Sequence, residues 1–408
     1  MDLQEHIELR LVHEIHTSER KSFRGCRRRW DWISRQRYYP TMTAKPLEFG
    51  TAFHKGFEVY YNPDTWDMPR EVVSQLAIKA FVDRCEVQRR AALEVTGQVQ
   101  LDDEVQQDYN ERVELGRGMF KHYFEKLAPA LDRGFRPVKV EIQFMVPIPH
   151  PDTGELMYCK CFQCLERMTK YNIEHELPGD RDSWIGLPVV YAGRIDMLAQ
   201  DQYGNYWIYD WKTAAAITVS GEKDEFLELD DQIGSYIWAL RSIGINVLGF
   251  IYREIKKGYP QPPAQNVYRR KGCLFSKNKQ QNTDYETYQA HVAQYDAEAF
   301  QAGLYDEFLQ FLQAEGIVYY SNHQIMKSET QCIQIQKGIG EEALDMLSPT
   351  LRVYPSPGRF SCRFCAFRQP CLGVFAGEDY QYTLDTLFEK KEHYYLREEA
   401  STESKGAE

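Results

Sequence analysis

Two apolar runs joined by the polar turn Asp201-Gln-Tyr-Gly-Asn205 constrain this chain more than any other feature. They are Ala192-Gly-Arg-Ile-Asp-Met-Leu-Ala-Gln and Tyr206-Trp-Ile-Tyr-Asp-Trp-Lys-Thr213. Such runs around a Gly/Asn turn read as a β-hairpin. Side chains alternate across a strand, so Asp210 and Lys212 leave one face with Tyr206 and Ile208. Trp207, Tyr209 and Trp211 leave the other. A second carboxylate, Asp196, sits on the partner strand. Two carboxylates and an ammonium so placed can hold a divalent cation beside a nucleophilic water, which is equipment for cutting a phosphodiester. Taken alone, Asp210-Trp-Lys212 is equally what a solvated strand face or surface ion pair looks like. The rest of the chain has to decide.

At 408 residues the chain can form one large elaborated domain or two to three ordinary ones, and 43% hydrophobic content is ample for a core. There is no apolar run of membrane-spanning length, and Met1-Asp-Leu-Gln-Glu-His-Ile-Glu lacks the order of a signal peptide. These features predict a cytoplasmic protein with no membrane partner. In a reducing compartment the ten cysteines point to metal ligation or buried thiols rather than disulfides. A net charge of −11 excludes a wholly basic nucleic-acid coat, not a local patch. One such patch runs from Lys256 to Gln281. It holds Lys256, Lys257, Arg269, Arg270, Lys271, Lys277 and Lys279, interleaved with Tyr259, Tyr268 and Phe275 and free of acids. It reads either as a solvated loop or as a contact for a DNA strand.

Along the chain, a helix opens near Thr17 or Ser18, with Phe23, Cys26, Trp30 and Ile33 on one face. A second helix from Leu47 to Tyr60 carries the stripe Phe49, Phe53, Phe57 and a neighbouring stripe Gly50, His54, Glu58. Residues 75–127 look helical. Val138, Val140, Ile142, Phe144 and Val146 alternate with polar residues, among them Glu141, as a strand. The segment 150–187 is a cysteine-bearing insertion. After the hairpin come a helix from Asp230 with Gln232 and Tyr236 one turn apart, and a strand from Val247 to Glu254. The spacing predicts a long helix over 284–316, a shorter one over 338–347, and a disordered end to the charged tail. This order of elements predicts an α/β fold, a mixed sheet flanked by helices. The expected divisions are 1–72 (N-terminal helices), 73–135 (helical elaboration), 136–260 (core, with the insertion 150–187), 261–350 (basic loop and helices), 351–375 (cysteine segment) and 376–408 (tail).

The candidate site residues have stated chemistry. Asp196 and Asp210 are hard oxygen donors suited to Mg²⁺ or Mn²⁺. His54 adds an imidazole, which favours Mn²⁺. Lys212 can hydrogen-bond the attacking water and offset charge on the pentavalent phosphate. Gln232 and Tyr236 can orient the phosphate. Glu141 reads either as support for a second metal or for Lys212, or as an ordinary surface residue.

Cys362, Cys365 and Cys371 have C-x2-C-x5-C spacing, and Cys26 is the candidate fourth ligand. Four thiolates suit a [4Fe–4S] cluster or Zn²⁺, and either would staple the two ends of the chain. A second group, Cys159, Cys161 and Cys164, has His150 and His175 nearby in sequence and reads either as structural Zn²⁺ or as a metal-free insertion. Cys85, Cys273 and Cys332 read as ordinary thiols.

Taken in order, Gly50-x-x-x-His54, a strand glutamate, Gly193-x-x-Asp196, Asp210-x-Lys212 and Gln232-x-x-x-Tyr236 resemble the RecB-like branch of the PD-(D/E)XK nuclease superfamily, from about Ser18 to Leu372. Where that family more often has Glu, this chain has Asp210. The cysteines resemble its iron–sulfur subgroup, which includes the AddB nuclease domain and the fourth CRISPR-associated family with its phage-encoded relatives. The resemblance implies a restriction-endonuclease-like fold closed by a C-terminal [4Fe–4S] segment. It implies metal ligation by His54, Asp196, Asp210 and the Trp211 carbonyl, with catalysis by Lys212, Asp210, Asp196, Gln232 and Tyr236. It further implies a DNA exonuclease, on single strands and from the 5′ end, working in recombination, repair or DNA-end processing in a bacterial or phage-infected cell. Recombination or CRISPR-adaptation proteins are the implied partners, and an oligomer is compatible. A structure-specific or RNA endonuclease and a noncatalytic iron–sulfur DNA-binding subunit remain the alternatives.

Overall fold

In the computed structural model, residues 2–41, 45–96, 102–174, 185–217 and 221–391 are described. The strands in chain order are β1 (His13–His16), β2 (Tyr38–Pro40), β3 (Phe135–Pro147), β4 (Tyr158–Cys159), β5 (Leu187–Asp201), β6 (Tyr206–Ala214), β7 (Val247–Lys256), β8 (Gln265–Arg270), β9 (Cys273–Phe275), β10 (Tyr320–Met326) and β11 (Phe388–Lys390). Seven of them form one mixed sheet in the order β1-β5-β6-β7-β10, with β3 and β4 on the far edge of β5. The β5–β6 hairpin is antiparallel, as its turn predicts, and β6–β7 is parallel through the Asp231–Ser242 helix.

The central strand β5 carries two partners end to end on one edge. Its ladder with β1 ends at His16↔Ala192, and its ladder with β6 starts at Met197↔Tyr209. Between them, Gly193 to Asp196 face an open seam. The alternation in β6 sorts its side chains as expected. Tyr206 and Ile208 join the core under the Asp231–Ser242 and Glu329–Leu347 helices. Trp207, Tyr209 and Trp211 join the core against Phe49, Phe53 and Phe57 of the Lys45–Tyr60 helix. Two long helices, Arg70–Thr96 and Asp103–His122, cover that second face and supply Phe81 and Phe120. The expected α/β architecture of a mixed sheet flanked by helices is therefore the fold.

Three local expectations are corrected. The helix at Thr17–Gly25 has no side-chain cap, because the capping position falls on His16, whose ring meets the Ala192 carbonyl, while the Thr17 hydroxyl bonds that of Tyr191. The long helix over 284–316 is broken into Tyr285–Tyr295, Ala297–Gln301 and Asp306–Glu315. Asp296 leaves helical geometry at φ −141° and turns its carboxylate to the Leu274 amide (2.9 Å) and the Tyr305 hydroxyl (2.7 Å). The helix expected over 338–347 starts earlier, at Glu329, on a Ser328/Gln331 capping box. The end of the charged tail lies outside the described residues. Among the described residues no helix is long and apolar enough to cross a membrane.

Candidate active site

The seam beside β5 is where the sequence-predicted residues gather, and they reach it from both faces of the sheet. From the Phe53 side, the Lys45–Tyr60 helix delivers His54, whose Nδ1 lies 3.2 Å from Asp196 Oδ2. That helix is fixed by its aromatic stripe: Phe53 stacks on Phe120 at 4.1 Å and Phe57 on Trp211 at 5.0 Å. The Trp211 backbone N–H donates to Asp196 Oδ2 at 3.0 Å, tying β6 to β5 by a side chain where the backbone ladder has stopped. Glu141 stands opposite Asp196, between the register pairs Val140↔Met197 and Ile142↔Ile195. Its backbone is in the left-handed region, φ 50°, unusual for a non-glycine residue in a strand and a strain of about 1–3 kcal/mol. Its carboxylate meets Arg194 Nε at 2.9 Å. His54, Glu141 and Asp196 bring donor atoms within 4.8 Å of one another.

From the opposite face come Asp210, Lys212 and Gln232. Lys212 Nζ lies 2.9 Å from Asp210 Oδ1 and 2.7 Å from its Oδ2, and Gln232 Nε2 donates to Oδ1 at 3.0 Å. Gln232 is placed by its helix, which starts on an Asp230 cap. Tyr236, one turn on, packs instead against Phe144 (centroids 5.2 Å apart) and Gly193, and with Gln232 lines a cleft of about 640 Å³. This cleft runs from Gly193 past Lys21 and Arg29 to Phe364 and Cys365.

The electrostatics follow from burial and proximity. Burial would lower the His54 pKa, but the Asp196 carboxylate beside it overcomes this and raises it. Burial would raise Asp196, yet His54, Lys212 and the Trp211 amide hold it below the usual carboxylate range. Burial lifts Asp210 to about 6 and Glu141 to about 7, despite their cationic partners Lys212 and Arg194. Lys212 would be lowered by burial, but Asp210 and Asp196 raise it, so it stays an ammonium. It is thus a charge and a donor, not a base.

Two carboxylates and an imidazole, with Asp210 adjoining, are the hard donor set that Mg²⁺ or Mn²⁺ takes. Glu141 joins this group, which settles its position; the left-handed backbone that puts it there leaves no trace in an alternating pattern. Sequence reasoning did not single out Arg194, although it lies two residues before Asp196 in the same motif.

The basic stretch 256–281 is largely engaged within the fold. Arg269 pairs with Asp296 (2.8 Å), Lys277 donates to the Leu304 carbonyl, and Lys257 and Lys279 lie over Phe49 and Phe311. The β8–β9 hairpin leaves Val267 and Tyr268 exposed.

The segments around Cys26 and Ser356 also meet. Cys26 Sγ accepts from the Ser356 amide at 3.5 Å, and the Arg28 amide donates to the Tyr354 carbonyl at 3.1 Å. Burial raises the Cys365 thiol, and Cys26 and Cys362 lie close enough to add to the shift. Cys365 and Cys371 pack against the small core of Trp32, Tyr38, Phe367, Leu384 and Phe388, which the β2–β11 pair closes. In the insertion, the imidazole that meets Cys159, Cys161 and Cys164 among the described residues is His13 of β1 rather than His150. His150 accepts from the Asp152 and Thr153 amides in its own turn, and His175 lies outside the described residues.

A mixed sheet whose open seam gathers carboxylates, an imidazole and an ammonium is the arrangement of a candidate metal-dependent site. The family comparison agrees: the chain belongs to the PD-(D/E)XK nuclease superfamily, whose sequence model matches residues 17–372. Members of this superfamily use Mg²⁺ or Mn²⁺. Comparison with curated proteins finds no match.

Proposed function

We propose that this chain is a DNA exonuclease that degrades single strands, entering from the 5′ end, in recombination, repair or the processing of DNA ends. The observation that carries the reading is the meeting of His54, Glu141 and Asp196 with Asp210, Lys212 and Gln232 at one seam. His54, Asp196, Asp210 and the Trp211 carbonyl would hold the divalent ion, which when bound would polarise the phosphoryl oxygen and lower the pKa of a coordinated water. The chain's own groups do the rest. Lys212, kept cationic, hydrogen-bonds the attacking water and offsets charge gathering on the phosphate. Gln232 orients the scissile phosphate from its helix, with Tyr236 supporting the wall of the cleft.

The cleft favours a single strand. It passes Lys21 and Arg29, which can follow one phosphate backbone, and reaches Phe364, an exposed ring on which a base can stack. It also leads to the cysteines, for which we propose a [4Fe–4S] cluster on Cys26, Cys362, Cys365 and Cys371. Four cysteine thiolates are the ligand set such a cluster takes, and Zn²⁺ on the same four is the alternative. The role is a staple joining the chain ends, with no redox step.

The test uses 5′-labelled linear single strands, the same sequence as a circle, and RNA, each with Mn²⁺. Release of short labelled products from linear DNA alone is expected. Cutting of the circle or of RNA would replace exonuclease with endonuclease, and inertness on all three would leave a DNA-binding subunit. Anaerobically purified protein should carry about four iron atoms per chain; colourless protein with zinc at these cysteines would overturn the cluster.

A further inference from the structure

We propose that His13, Cys159, Cys161 and Cys164 form a structural Zn²⁺ site that clamps the insertion onto the first strand of the sheet. This site is separate from the nuclease centre and from the C-terminal cysteines, and does not rest on the function proposed above.

The geometry is that of one small tetrahedral ion. All four donor atoms lie within 4.8 Å of one another. His13 Nδ1 is 3.3 Å from Cys164 Sγ, and Cys161 Sγ is 3.4 Å from Cys164 Sγ. A tetrahedral centre with Zn–S of about 2.3 Å and Zn–N of about 2.0 Å has edges of about 3.5–3.8 Å. The sulfurs are too far apart for a disulfide, whose bond is about 2.05 Å, and all three cysteines are free. Three thiolates and one imidazole are a donor set that selects zinc over Mg²⁺ or Mn²⁺. Each thiol gives up its proton to solvent as the ion binds.

The surroundings are built to hold these groups. Cys159 and Cys164 are buried in the main core beside Met157 and Leu187. Cys161 immediately precedes the Phe162–Glu174 helix and Cys164 lies in its first turn, where the helix dipole favours thiolates. The same helix is fastened to the N-terminal segment by Arg167, which donates to the carbonyls of Arg10 and Val12, and by Gln163, which donates to the Arg35 carbonyl. His13 and Cys159 flank the start of β5, paired with Val189 and Leu187 respectively. The clamp therefore fixes the strand that runs on to Gly193 and Asp196.

The test is zinc analysis of the full-length protein after dialysis against Mg²⁺. About one zinc per chain is expected, lost in Cys161→Ser and His13→Gln and kept in Cys362→Ser and Asp196→Asn. Zinc-free wild type, or zinc that survives Cys161→Ser or leaves only with Cys362→Ser, would overturn the site. Should the variants fail to fold, alkylation of the wild type decides. Cys161, the exposed ligand, should react with iodoacetamide only after a chelator strips the metal. A rate that the chelator does not change, or a Cys161–Cys164 disulfide in the mass spectrum, would contradict the proposal.

Discussion

The Trp211 amide donates to the Asp196 carboxylate at 3.0 Å, at the point where β5 and β6 stop pairing through their backbones. One side chain thus closes the hairpin and opens the site. The geometry depends on the Trp211 ring, which is buried between Phe57 and Tyr61, with centroids 5.0 and 4.9 Å away. Trp211→Ala should lower stability by about 3–5 kcal/mol in urea denaturation and abolish cleavage. Trp211→Phe, which keeps a ring in the stack, should retain most of both. Equal stability of all three proteins would refute this role.

Gly193 is required by its neighbours rather than by its backbone. A Cβ there would lie 2.5 Å from the Phe144 ring and 3.2 Å from Tyr236. Gly193→Ala should cost about 1–3 kcal/mol by overpacking and slow cleavage, because the displaced Phe144 ring packs on Tyr236, which lines the cleft. Thermal denaturation with a parallel nuclease assay checks both; an unchanged midpoint would refute the packing argument.

The acidic group makes stability and metal binding respond oppositely to pH. Burial holds Glu141 protonated up to about 7 and Asp210 up to about 6. A carboxyl raised by folding stabilises the folded chain below its ordinary range, and that contribution disappears as pH rises through the raised value. The melting midpoint of metal-free protein should therefore fall as pH climbs through about 7, and fall less in Glu141→Gln. Mn²⁺ affinity should rise over the same window, since ligation needs ionised carboxylates. Calorimetry at a series of pH values measures both, and a midpoint indifferent to Glu141→Gln would contradict the assignment.

Behind the sheet, Arg253 is buried against Asp132 (3.1 Å) and the Tyr123 hydroxyl (2.6 Å), joining β7 to the helical face. Arg253→Met removes the cation paired with the half-buried Asp132 and leaves it, among the described residues, only the Tyr61 hydroxyl, for an expected loss of about 3 kcal/mol. Arg253→Met with Asp132→Leu should recover part of that loss. Denaturant titration of the three proteins decides; a double variant as unstable as the single would show that the pair's worth lies elsewhere.

The hairpin, the Asp231–Ser242 helix and the His54 helix were legible because their apolar periods match what each element buries. β1 and β10 were not: His13-Glu-Ile-His16 and Tyr320-Ser-Asn-His-Gln-Ile-Met326 are short and polar, and take strand form only through neighbours such as Val189 and Ile251. The same limit hid His13 as the imidazole beside the insertion cysteines, since it lies 151 residues from Cys164. Asp296 broke an otherwise helical run through a tertiary bond to Leu274 that no local pattern encodes. Asp196, Asp210, Lys212 and Gln232 were readable as types at spacings. The seam that lets them meet exists only because β1 and β6 share one edge of β5.

Asp196 and Lys212 acting in one metal-dependent centre is the central claim, and cleavage of a labelled single strand tests it most directly. With Mn²⁺, wild type should cut and EDTA should stop it. Asp196→Asn and Lys212→Ala should each lower the rate by about 10²-fold or more. Asp196→Asn should stay folded in EDTA, because Asn keeps an acceptor for the Trp211 amide, with a midpoint lowered by loss of the His54 ion pair. Cleavage undiminished by either substitution, or wild type as inert as both, would contradict the account.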